Sequence, residues 1–280
     1  MATYQSVQSA AANGDSLVIT KPTSLAVGDL MLAGIYSSNG TSANSVSINT
    51  PAGWTQQAID GLSSSNSMIA CFSKVADAGD VAASNFTFTD TNAAADSFMI
   101  GHILRLTNSA IADVVNTNES AASTTVVVST ITPTFPNSLF VIFAGADDLT
   151  TPPTVSTYAM ATDDPTWTER AETSHTSAGG HDGVLAVATA TRAATTATGN
   201  TTITFGTTPT IGGAIVIAMP PQNSGSISQA TTINTYAFSP IPKTEIEAVA
   251  ENPTTDSQTT PAWTNPNKPS TTWINTDKYS

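Results

Sequence analysis

At 280 residues, with 21 Asp and Glu against 8 Lys and Arg, the chain carries a net charge of −13, which excludes a nucleic-acid phosphate backbone or an anionic membrane as partner, because both need clustered basic side chains. Only 10% of its residues are charged, well under the roughly 25% of ordinary soluble domains, so hydroxyls and amides must supply the polar surface. A single cysteine, Cys71, excludes an internal disulfide framework, and no apolar run approaches the roughly 20 residues of a membrane span.

The amino terminus, Met1-Ala2-Thr3-Tyr4-Gln5, lacks the basic start and apolar centre of an export signal, which predicts synthesis and folding in the cytoplasm. Abundant Thr and Val, with 17 Gly and 16 Pro, predict short strands joined by turns and almost no helix. Bounded by turn residues, strands are expected over 16–20, 29–36, 54–58, 68–75, 85–89, 98–106 and 124–131, then over 138–144, 167–171, 184–190, 201–205 and 214–219. About a dozen short strands make a sandwich or a barrel. Cys71 lies in the apolar run Met68-Ile69-Ala70-Cys71-Phe72, where a thiol acts as a small buried hydrophobe.

These strands also form one list written twice, with an offset drifting between 109 and 117. Leu30-Met31-Leu32 answers to Leu139-Phe140-Val141, Trp54 after its turn to Trp167 after its own, Phe86-Thr87-Phe88 to Ile203-Thr204-Phe205, and Gly101–Leu106 to Gly213–Ala218. One half, over about 15–110 or 124–220, leaves an apolar face uncovered. The expected fold is therefore an all-β, jelly-roll-like antiparallel sandwich over 1–222 built from two similar halves packed face to face, with two separate small domains as the alternative.

After Pro220-Pro221 the strand pattern stops. Residues 223–280 read as an extended Pro-, Ser- and Thr-rich arm, with a capping box at Thr244 that predicts a short helix near 244–251. The arm repeats a unit, Trp263-Thr264-Asn265 with Lys268 and then Trp273-Ile274-Asn275 with Lys278. Tryptophan anchors interfaces more than any other residue, so Trp263, Asn265, Lys268, Trp273, Asn275 and Lys278 are candidate docking residues, in cis or on another chain.

A catalytic triad needs a histidine between a nucleophile and a carboxylate, and the chain offers only His102, His175 and His181. His102 lies in an apolar strand and reads as a satisfied strand histidine. His175 and His181 bracket a Gly-rich hairpin loop, and with Glu172, Asp163 and Asp164 they match no metal-ligand spacing. The carboxylate pairs Asp147-Asp148 and Asp163-Asp164 are adjacent in sequence, so on a strand they point to opposite faces, and Asp77 and Asp80 share a turn. Neither phosphate-binding fingerprints nor a nucleophile elbow occur. The sequence thus predicts a protein that is not an enzyme and that takes no cofactor or metal.

Lys21-Pro22, Gly28-Asp29-Leu30-Met31-Leu32-Ala33, Pro51-Ala52-Gly53-Trp54-Thr55, Phe72-Ser73-Lys74-Val75-Ala76 and Phe86-Thr87-Phe88 together resemble β-sandwich modules of tailed-bacteriophage virion proteins. The repeat in the arm resembles the short Trp-Thr-Asn-x-x-Lys units near the ends of phage structural proteins, with Ile274 departing from the pattern. The resemblance covers about 15–110 and 261–280. It implies a non-enzymatic virion protein, assembled in the host cytoplasm, tail-associated or decorating the capsid, a homo-oligomer among other virion proteins. A carbohydrate-binding adhesin for a host-surface glycan is the alternative, with Tyr158 and Trp167 stacking on sugars and Asp147 and Asp148 holding their hydroxyls.

Overall fold

Strands β3 (Leu30–Ser38) and β10 (Ser138–Asp148) are apolar on both faces, and in the computed structural model both are buried on both faces, β10 up to its last residue. The structure describes residues 1–39, 46–62, 67–91, 97–148, 150–162, 165–177 and 181–222. These all lie within the first of two units, Met1–Ser226. The arm over 223–280, its helix near 244–251 and its docking residues Trp263, Asn265, Lys268, Trp273, Asn275 and Lys278 lie outside the described residues, as do Asp163 and Asp164.

The first half contains β1 (Thr3–Asn13), β2 (Ser16–Thr20), β3, β4 (Thr55–Leu62), β5 (Ser67–Val75), the one-turn helix α1 (Ala78–Ala82), β6 (Asn85–Thr89) and β7 (Phe98–Thr107). The second contains β8 (Val114–Ala121), β9 (Thr125–Val128), β10, β11 (Val155–Met160), β12 (Thr168–Thr176), β13 (Asp182–Arg192), β14 (Thr201–Phe205) and β15 (Ile211–Met219). Each half forms a five-stranded antiparallel sheet, in the orders β1-β7-β3-β5-β4 and β8-β15-β10-β13-β12. Strand by strand these are the same order, so the duplication read from sequence is a duplication of topology. The smaller sheets also correspond: β2 pairs with β6, and β9 pairs with β14, with β11 added on the far side of β14.

Where a jelly roll has two layers, the described residues form four. Alternate side chains of β3 supply two cores: Leu30, Leu32 and Tyr36 point into an inner core shared with Val141, Phe143, Leu185, Ile215 and Ile217 of the second half. Met31, Ala33 and Ile35 point outward, under Leu17 and Ile19 of β2 and Phe88 of β6. In the second half, Phe140 and Ile142 lie against Val126, Val128 and Ile203 of the small sheet. The face-to-face packing of the halves is as expected. The outer layers arise because short strands such as β2, which alternates exposed and buried residues, cover each large sheet's second apolar face.

The halves are related by a pseudo-twofold axis running along the strands. β1 lies over β12, β7 over β13, β5 over β15 and β4 over β8, with β3 facing β10 in the middle. The residues at the centre are complementary rather than alike. A Cβ built on Gly34 would lie 2.2 Å from Cδ1 of Phe143, and one built on Gly145 would lie 2.6 Å from Cδ2 of Tyr36. Because Leu30 corresponds to Leu139, Gly34 and Phe143 are equivalent positions, as are Tyr36 and Gly145. Each bulky ring thus fills the space left by a missing side chain in the other half.

The ladder corrects one alignment. Leu30 pairs with Leu106, whereas Leu139 pairs with Met219, so β7 and β15 correspond one residue away from the match of Gly101–Leu106 with Gly213–Ala218. A slip of one exchanges the faces of a strand; only the shifted register puts Leu104 and Ile217 together in the inner core.

Candidate functional site

Among the described residues of the first half β11 has only a reduced counterpart, the bridge of Ile48 with Asp90 beside β6, so the groove that β11 forms distinguishes the halves. Val155 and Met160 are buried at its two ends, while Ser156 and Thr157 face solvent and Tyr158 is half-buried. The chain then turns back and reaches Trp167 just before β12. Trp54 stands at the equivalent place before β4, where it is only 8% exposed. Phe86 closes over Trp54 edge-on at 5.7 Å and Phe88 at 5.4 Å. Trp167 has no such cover among the described residues; it stays half-buried and meets Tyr158 across 6.3 Å with ring planes inclined by 38°. Between them lies an open groove of about 660 Å³, lined by Ser156, Thr157 and Tyr158 from β11 and by Pro165, Thr166, Trp167 and Glu169 from the start of β12.

The groove is anionic. The Tyr158 hydroxyl donates to Oε2 of Glu169 at 3.1 Å, and the Val155 N–H donates to Oε2 of Glu172 at 2.7 Å. Burial pushes the Glu172 carboxyl above its ordinary pKa, with the Val155 N–H opposing and the Glu169 charge adding to the shift. Burial, followed by the charges of Glu169 and Glu172, raises the Tyr158 hydroxyl, so it stays a neutral donor. Among the described residues the Trp167 indole N–H is buried without an acceptor, and the ring packs against the second outer core.

Of the four residues read as glycan contacts, the structure brings Tyr158 and Trp167 together and places Asp147 elsewhere. Asp147 is 2% exposed and lies between the halves, where its Oδ2 accepts the Ser38 hydroxyl at 2.9 Å and the Ser67 hydroxyl at 2.7 Å. Burial raises its pKa first; the two serine hydrogen bonds and the charge of His181 oppose. With its carboxylate held inside the protein, Asp147 offers no acceptor to a sugar in the groove. Asp148 is half-buried on the opposite side of β10, outside the groove lining.

The histidines are structural links. His102 is fully buried; its Nδ1 and the Ser9 hydroxyl are 2.7 Å apart, and its Nε2 lies 2.7 Å from the Leu185 carbonyl of the second half. Burial lowers its pKa to about 4, against the raising effect of the Leu185 carbonyl. His175 lies 2.9 Å from the Asn13 side chain and against the Phe98 ring. The loop from His175 to His181 is the hairpin between β12 and β13, as read. Among the described residues no three His, Cys, Asp or Glu converge as for a metal ion. Asp77 and Asp80 form a reciprocal cap on α1, and Asp80 is paired with Lys74 at 2.6 Å. Cys71 is buried, and burial raises its thiol pKa.

Ser156, Thr157, Thr166 and Glu169 were not legible as site residues. The available signal was Val155–Met160, apolar at both ends and polar between, a short amphipathic strand leading to a turn and a tryptophan. Compared with families of known proteins, with curated proteins and with solved structures, the chain matches none.

Proposed function

We propose that this chain is a non-enzymatic structural subunit of a tailed-bacteriophage virion, tail-associated or decorating the capsid. One observation carries the reading: the residues in which the chain resembles phage virion modules build the scaffold. The Gly28 N–H donates to the Ala76 carbonyl at 2.9 Å and the Ala76 N–H to the Asp29 carbonyl at 2.8 Å, tying the start of β3 to the end of β5. Asp29 pairs with Arg105 at 2.6 Å, and the Lys21 ammonium donates to the Val81 carbonyl. Phe72, Trp54, Phe86 and Phe88 pack edge-on and tilted as the aromatic part of the first outer core. What is shared is a building block, and this chain packs two copies of it back to back.

A rigid block of this kind suits a repeated part of a particle, and the arm over 223–280 is the means of attachment: Trp263 and Trp273 occupy pockets on neighbouring subunits, with Lys268 and Lys278 at the rim. Purified particles probed with an antibody to the described unit should be labelled at one location, the tail or the capsid surface. A chain ending at Gln222 should keep the parent's melting temperature and be missing from particles. Its incorporation at parental copy number would overturn the attachment, and absence of the full chain from particles would overturn the function.

A further inference from the structure

We infer that the groove beside β11 binds an uncharged oligosaccharide, one per chain. This goes beyond a structural role and does not depend on it. Tyr158 and Trp167 present two half-buried rings inclined to one another, an apolar platform that matches the C–H faces of successive sugar rings. The hydroxyls of Ser156, Thr157 and Thr166 stand around the platform as groups that both donate and accept, and the Glu169 carboxylate accepts. The exposed lining is mostly polar, which suits the many hydroxyls of a sugar while the two rings meet its C–H groups.

The sign of the groove selects among sugars. Glu169 lines it and Glu172 lies behind Val155, on a chain of net charge −13. A uronate, sialate or sulfated sugar would bring its charge against these carboxylates with no basic residue in the lining to compensate. The duplication sets the stoichiometry. At the equivalent place in the first half, Phe86 and Phe88 cover Trp54 and β11 is reduced to the bridge of Ile48 with Asp90, so among the described residues the platform belongs to the second half.

The full chain is titrated calorimetrically with maltohexaose, cellohexaose, xylohexaose, laminarihexaose and mannohexaose, and with hexagalacturonate as the charged control. At least one neutral hexaose should bind with one site per chain, and hexagalacturonate at least about tenfold more weakly. Trp167→Ala removes packing as well as platform, so the deciding variants are Thr157→Arg and Thr166→Arg, whose side chains are exposed at the groove. Each should melt with the parent and bind at least about tenfold more weakly. Failure of every neutral hexaose to bind at millimolar concentration, binding unaltered by both arginines, equal binding of hexagalacturonate, or two sites per chain would each overturn the inference.

Discussion

Gly34 has no side chain because Phe143 occupies the space where its Cβ would be, and a single methyl there decides how well the halves fit. Gly34→Ala should destabilise the protein by about 1 to 3 kcal/mol, the usual range for overpacking a filled core, measured by guanidinium unfolding. Combining it with Phe143→Leu should cost less than the sum of the two single changes, because the smaller side chain relieves the clash; simple additivity would show that the contact is not direct. His102 acts through protons. Its pKa is about 4 in the folded protein against an ordinary 6.5, so between those values an unfolded chain takes a proton that the folded chain refuses. Its contribution is intact above pH 6.5 and falls as the pH drops towards 4, by on the order of 3 kcal/mol in all. His102→Gln keeps an N–H for the Leu185 carbonyl and does not titrate. The stability difference between parent and variant should therefore change by that amount between neutral pH and pH 4, and an unchanging difference would refute the assignment.

At the level of elements, the two tryptophans read as equivalent differ in what covers them. Trp54→Ala should cost about 3 to 5 kcal/mol, as expected for a buried aromatic, whereas Trp167→Ala, at a half-buried ring, should cost about 1 to 2. Thermal and denaturant unfolding of the pair would settle this; equal losses would mean that the groove closes over Trp167. Most strands were legible because β3, β5, β7, β10, β13 and β15 are continuous apolar runs that only burial on both faces explains. β1, β8 and β11 were not. β1 and β8 are equivalent edge strands whose residues are mostly half-buried, small or polar, so neither shows the alternation that marks a strand. Tyr158 and Trp167 could be singled out as aromatic residues in a polar stretch, but their meeting depends on the pairing of β11 with β14, which local sequence does not encode. Asp147 reads as a glycan contact because its partners, Ser38 and Ser67, are 109 and 80 residues away.

For the molecule as a whole, the inner core decides whether the halves are independent. Residues 1–110 alone would expose Leu30, Leu32, Tyr36, Ile100 and Leu104 to water, and this fragment should be polydisperse or insoluble in sedimentation. A cooperatively melting monomer would refute the shared core. The complementary centre has a further consequence. Two first halves brought together would set Tyr36 against Tyr36 and leave a void between two copies of Gly34; two second halves would collide at Phe143 and bury two Asp147 carboxylates against each other. Only unlike halves mate, so the chain carries its own pairing code. Small, large and hydroxyl residues at 34, 36 and 38 are answered by large, small and carboxylate residues at 143, 145 and 147. In a crowd of identical copies, such a code rules out the mating of two first halves or of two second halves, so every first half must close on a second half.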